Sequence, residues 1–258
     1  MTVPATLAVG SLAGFLELAK GQFEGDGWLY RGHANSRDRA WLLVPMIARG
    51  ERVVDPERLE RELFAEAGLR LPAYTGGQLL DEWERLALLR HHGAPTRILD
   101  WSRSSLVALW FAISERAREK SWVAATVWGI RCNVSDYVTE RERKGSPFDL
   151  GRTKFFEAPH FNRRLAAQQS VFSVHRYWED DVVVPLERHA ILKRKLVAIS
   201  VPHEYQAGLL RELFDVGVSA ASLFPDLDGL GKHLQLRHSL AGRFRTLAGP
   251  DSSHIDPI

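Results

Sequence analysis

The chain has 258 residues, enough for one large domain or two small ones, and 45% of them are hydrophobic, enough for a sizeable core. Lys and Arg number 34 against 32 Asp and Glu, a net charge of +2. That balance excludes wrapping duplex DNA by charge alone and leaves room for a local basic patch. The single cysteine, Cys132, supports neither a disulfide framework nor a zinc-finger spacing and fits a reducing, intracellular compartment. The first twenty residues lack the basic region and long apolar run of a signal peptide. No stretch reads as a membrane span, so the cytoplasm is the expected site of action.

In chain order, residues 11–20 read as a helix capped by Ser11. Gly25-Asp26-Gly27 reads as a turn. Residues 28–31 form a short strand ended by Gly32, and 33–39 a polar loop. Trp41, Leu42, Val44 and Pro45 open a second ordered segment. Residues 56–71 are helical, with Leu59, Leu63, Ala67 and Leu71 on the apolar face. Residues 72–77 break that helix, and 79–89 are helical again around Trp83, Leu86, Ala87 and Leu89. A polar loop over 91–100 precedes a buried-looking helix over 102–117, in which Leu106, Val107, Leu109, Trp110, Phe111 and Ile113 leave little polar face.

The second half reads as strand-rich. Strands are expected at 122–130, 153–157, 171–174, 182–185 and 196–201, with a charged loop over 140–151. Helices follow at 202–213 and 227–236, with a strand or turn around Val216 and Val218, and the tail beyond Ala248 reads as frayed. No repeat or linker divides the chain. The expectation is one α+β domain over 1–248 with a helical first half, followed by a tail at 249–258.

Four constellations carry polar chemistry. Tyr30-Arg31-Gly32 sets an arginine at a strand end, where its fork can hold a phosphate or carboxylate, and Gly32 lets a ligand approach the backbone. The run His91-His92-Gly93-Ala94-Pro95-Thr96-Arg97-Ile98-Leu99-Asp100-Trp101 fixes a loop shape through Pro95 and frees another angle at Gly93. Within it Thr96 and Asp100 are candidate caps for the next helix, Arg97 and Asp100 a candidate pair, and His91 a candidate donor to a ribose or carbonyl. Arg97 and Asp100 serve equally well as folding elements. The third run, from Arg164 through Gln168 to Phe172, takes an amide into an apolar strand. The fourth, Ser222 to Gly229, carries Asp226 and Asp228, at least one of them a helix cap. No phosphate-binding Walker loop, dinucleotide-binding glycine fingerprint, nucleophile elbow or metal-ligand spacing is present, and no carboxylate cluster suits a two-metal nuclease.

These constellations in this order resemble the FRG domain family, whose aromatic-Arg-Gly motif corresponds to Tyr30-Arg31-Gly32. The family's central block is similar to Arg90 through Ser102 followed by Ala108-Leu109-Trp110-Phe111-Ala112. Arg90 and His92 stand where the family has Gln and Tyr, and Ser170 stands where a later motif has Gly. The resemblance spans roughly residues 10 to 236. A weaker resemblance is to ADP-ribosyltransferases of the Arg-Ser-Glu type, although their late Glu-x-Glu is missing. It implies a split β-sheet core and an enzyme that uses NAD to modify a macromolecular acceptor, such as a DNA or RNA base. It implies that Arg31 holds the NAD pyrophosphate, His91 contacts the nicotinamide ribose, and Gln168 and Phe172 shape the nicotinamide pocket. Tyr30, Gly32, Thr96, Asp100 and Arg164 are further candidate NAD contacts. Asp226, Gln168 and His91 are the catalytic candidates, and no metal is expected. A non-catalytic nucleotide or nucleic-acid binding module is the alternative, and a scaffold protein a third.

Overall fold

A computed structural model describes residues 7–34, 43–49, 55–114, 123–159, 163–176 and 183–247, with side chains of the last helix described to residue 238. The expected features at residues 35–42, at 115–117, at Trp122 and Val182, and in the tail lie outside the described residues.

The strands are β1 (Leu7–Ala8), β2 (Trp28–His33), β3 (Ile98–Ser102), β4 (Ala125–Arg131), β5 (Lys154–Phe156), β6 (Ser170–Val174) and β7 (Leu196–Val201). They form one seven-stranded sheet in the order β1-β7-β4-β2-β3-β6-β5. Only the short edge pair β1–β7 is parallel, and every other pairing is antiparallel. The helices are α1 (Leu12–Gln22), α2 (Pro56–Arg70), α3 (Glu82–His91), α4 (Ser105–Ile113), α5 (Glu140–Arg143), α6 (Arg163–Ala167), α7 (His203–Asp215), α8 (Ala220–Leu223) and α9 (Leu227–Leu247).

Side chains alternate between the faces of each strand. One face carries two core clusters. Phe15 of α1, Leu109 and Ile113 of α4, and Leu209 and Leu213 of α7 pack with Val127 and Ile199 over the β4–β7 half. Phe64 of α2 and Trp83 and Leu86 of α3 pack with Ile98, Phe172 and Val174 over the β3–β6 half. A third cluster, including Leu29, Leu99, Trp101, Val171 and Leu186, takes the alternate strand positions.

The α+β class stands, but its distribution along the chain differs from the expectation. The central strands β2 and β3 lie in the first half, and three helices close the second. Gly32 lies inside β2, not at its end, because helix α4 crosses there. A Cβ at Gly32 would stand 2.1 Å from the Ala108 carbonyl oxygen and 2.5 Å from the Ala112 nitrogen. The close approach that needs glycine is therefore by a helix. On α2 the buried stripe is Pro56, Glu60 and Phe64, one residue round from the expected face, and Leu59 is exposed. Residues 98–102 of the expected loop and helix start form β3, and α4 is capped by Ser104, whose Oγ accepts from the Val107 N–H. Thr96 and Asp100 therefore cap no helix. Residues 183–185 form no strand and lead into a 3-10 turn at Leu186–Arg188.

Candidate functional site

The site lies where the sheet parts. β2 pairs with β4 over six positions but with β3 at one, Tyr30 opposite Ser102. Beyond that pair the two strands separate, and Arg31 spans the gap. Its Nη1 donates to the Asp100 carbonyl oxygen at 2.6 Å and stands 3.7 Å from the Asp100 carboxylate. The last turn of α3 delivers Arg90, whose Nε donates to the same carboxylate at 2.7 Å. Arg49 follows the 3-10 turn Met46–Ala48 and donates from Nε to the Val44 carbonyl at 3.0 Å. All three arginines, with Asp100 and His91, line a cavity of about 370 Å³ in the seam between the two helical core clusters. That volume falls in the lower part of the range for small-molecule pockets. Among its described lining residues Asp100 is the only acid, beside three arginines.

Burial in the seam pulls the Arg31 guanidinium down to about 9, so it stays cationic at neutral pH. Burial also pushes the Asp100 carboxyl up, but Arg90 and Arg31 outweigh it and hold the group below the usual carboxylate range. Burial lowers His91 to about 4, with His92, Arg164 and Arg90 adding to the effect against Asp100. His91 is therefore neutral at pH 7, and among the described residues its buried Nε2 has no hydrogen-bond partner. His33, on the same cavity wall, is lowered to about 2 by burial and by Arg31 and Arg49.

The rest of the lining comes from α4 and from late segments. Phe111 of α4 and Phe224, just after α8, present aromatic rings, and Gln168 and Ser170 present polar groups. Gln168 is anchored at both ends. Its carbonyl accepts from Ser102 Oγ at 2.8 Å, and its side-chain Nε2 donates to the Leu223 carbonyl at 3.1 Å.

Residues 26–121 match the family model of the FRG domain. No curated protein and no solved structure matches the chain. The FRG segment supplies β2, α2, α3, β3 and α4, and with them Arg31, Arg49, Arg90, His91, Asp100 and Phe111. Gln168, Ser170 and Phe224 lie outside it in sequence and complete the cavity. The charged side is thus FRG-derived, and the amide-bearing part comes from the rest of the chain.

Of the residues singled out from sequence, Tyr30, Arg31, Gly32, His91, Asp100 and Gln168 converge on this cavity. Four do not line it. Thr96 is fully buried away from it. Phe172 is a core side chain packed on Phe156 at 5.5 Å between centroids. Arg164 binds Asp226 and reaches Asp228 at 3.3 Å, with its guanidinium over the Phe224 ring. Asp226 is held by Arg164 and accepts from the Gly229 N–H at 2.9 Å, so it caps the start of α9. The expected Arg97–Asp100 pair is also replaced. Arg97 binds Glu60, at 2.7 Å, and Asp100 binds Arg90 and Arg31.

Sequence reasoning missed Arg49, Arg90 and Phe224 as wall residues. The arginine standing at 90 in place of the family's glutamine was the available signal, since it puts a cation one helical end away from Asp100. Nothing in the local pattern marks Arg49. Trp101 Nε1, Ser173 and His175 form a hydrogen-bonded chain at 2.9 and 3.1 Å, but Ser173 and His175 are fully buried and the chain serves the core. Among the described residues no group of three or more His, Cys, Asp or Glu side chains is placed to hold a metal, and no helix is long and apolar enough to cross a membrane.

Proposed function

We propose that the cavity binds NAD as a substrate and that the chain is an ADP-ribosyltransferase-like enzyme acting on a macromolecular acceptor, a nucleic-acid base foremost. The observation that carries the reading is three guanidinium groups around a single carboxylate in one pocket at the sheet seam. Such a site favours a doubly charged anion, and the pyrophosphate of a dinucleotide is one. The parting of β2 from β3 is the geometry expected of a split-sheet core.

In this reading Arg31, Arg49 and Arg90 hold the pyrophosphate. Neutral His91 offers Nε2 to a ribose hydroxyl. Phe111 and Phe224 supply flat apolar surface for the nicotinamide, beside Gln168. The glycosidic C–N bond breaks with its electron pair leaving on nicotinamide. The acceptor's lone pair forms the new bond to the ribose carbon, and the acceptor's proton passes to solvent. Positive charge builds on the ribose in between, and Asp100, held ionised and lining the same cavity, is the carboxylate assigned here to offset it. It takes the part assigned from sequence to Asp226.

Incubating purified protein with NAD and candidate acceptors and measuring nicotinamide tests this. Release that disappears in Arg31→Ala is expected. No release from folded protein with nucleic acid, protein or water as acceptor overturns it. A second reading, a non-catalytic nucleotide-binding module, is favoured by the engagement of Asp100 with both Arg90 and Arg31. It expects thermal stabilisation by NAD that Arg31→Ala abolishes, with no nicotinamide formed.

A further inference from the structure

We infer that the chain binds single-stranded nucleic acid and seats one unpaired base in a second pocket behind the Phe111 and Phe224 wall. This pocket, about 190 Å³, is lined by Trp110, Phe111, Ser114, Phe224, Lys232 and Gln235. A cavity of roughly 150 Å³ already accepts a benzene ring, so the space suits one flat heterocycle. Three of its walls are aromatic, with Trp110 and Phe224 centroids 5.8 Å apart and Phe111 and Phe224 centroids 6.0 Å apart.

Two polar groups separate this pocket from an ordinary apolar void. The Trp110 indole N–H and the Ser114 hydroxyl belong to lining residues only 4% exposed, and among the described residues neither has a hydrogen-bond partner. Unpaired buried donors are costly, and a ring carrying acceptor atoms satisfies them. A nucleobase combines that ring with those acceptors and stacks on aromatic side chains whatever its identity.

Charge around the mouth says how the base arrives. Lys232 lies over the Phe224 ring at 5.3 Å and belongs to α9. From Lys232 to His238 that helix carries Lys232 and Arg237, with His233 and His238 and no acidic residue. A cationic helix beside a base-sized aromatic pocket fits a phosphate backbone tracking along α9 with one base turned inward. A duplex keeps its bases stacked and paired and can use only the charge.

The inference rests on the proposed function in taking a base as the acceptor, but strand binding needs no NAD turnover. The test is fluorescence anisotropy of a labelled single-stranded oligonucleotide and the matching duplex, titrated with the full chain at low and raised salt without NAD. The single strand is expected to bind at least about tenfold more tightly than the duplex. Ser114→Val is expected to erase most of that preference and leave duplex binding unchanged. Lys232→Glu combined with Arg237→Glu is expected to weaken both ligands and flatten the salt dependence. Unchanged melting temperatures show that the variants are folded. Should Ser114→Val not fold, the strand-over-duplex preference of the unaltered chain decides. No single-strand binding by folded protein, or equal binding of both forms, overturns the inference. Strand binding without nicotinamide release sinks only the transfer reading, and release to water without strand binding sinks only this one.

Discussion

In the proposed function Arg31 does two jobs with one fork, and the geometry makes lysine a poor replacement. One nitrogen closes the gap in the sheet by donating to the Asp100 carbonyl, while the plane of the group stays at the cavity wall. An ammonium gathers its three N–H donors on one nitrogen and lacks the planar fork that grips a carbonyl and a phosphate oxygen side by side. Arg31→Lys is therefore expected to cut thermal stabilisation by NAD severely, by about tenfold or more in affinity, with little loss of intrinsic stability. Differential scanning fluorimetry with and without NAD measures both quantities. Arg97, only a few residues from Asp100, has a different role. Its guanidinium and backbone N–H both donate to the Glu60 carboxylate, and the two side chains are 3% and 0% exposed. Removing one partner of such a pair strands a buried charge and costs about 3–5 kcal/mol. Glu60→Ala is expected to lose that much in urea unfolding. Glu60→Leu with Arg97→Met is expected to recover most of it. If the double variant is as unstable as the single one, the pair is more than a buried charge balance.

At the scale of elements, the contact between α4 and β2 sets the seam. Gly32→Ala would drive a methyl group into helix backbone, which cannot rotate away as a side chain can. The helix must lift from the strand, at about 3 kcal/mol or more, the upper range for overpacking. A lowered denaturant midpoint together with lost NAD stabilisation is expected. A midpoint like that of the unaltered chain would mean that α4 does not rest on Gly32. The elements that were legible before the structure share a feature: their signal is local. Ser11 caps α1, β7 is an apolar run at 196–201 broken only by Ser200, and Trp83, Leu86 and Ala87 mark the buried side of α3. The illegible ones depend on distant partners. β3 looked like loop because a central strand seldom carries an aspartate such as Asp100 or follows directly on an arginine such as Arg97. Both are tolerated because Glu60, Arg31 and Arg90 arrive from elsewhere in the chain to neutralise them. The buried face of α2 was misplaced for the same reason, since its central residue is the carboxylate of Glu60. In the site, motif residues on β2 and β3 were found by type. Arg49 was not, because its place is set by how the turn at 46–48 packs.

Across the whole molecule, burial first and the cations gathered in the seam second keep three histidines near it neutral. His33 is lowered to about 2 and His175 to about 3, each first by burial and then by Arg31, and His91 to about 4 by burial. In the unfolded chain these groups titrate near about 6.5. Between roughly pH 6.5 and 5 the unfolded state therefore binds more protons than the folded one, and stability rises with pH. Acidification through that window is expected to destabilise the chain, by about 1 kcal/mol per pH unit for each of the buried His33 and His175. Urea midpoints near pH 7 and pH 5.5 measure the slope, and His175→Met is expected to make it shallower. NAD adds a second sign. Its pyrophosphate does not titrate in this range, and placed among Arg31, Arg49 and Arg90 it would offset the field that helps hold His91 neutral. Occupancy would then raise the His91 pKa, and by linkage the ligand must bind more tightly as pH falls toward that value. The thermal shift produced by a fixed NAD concentration is expected to grow from pH 7 to pH 5 even as the free protein weakens, and His91→Gln is expected to remove that growth. A shift that shrinks in step with stability would place the anion away from His91.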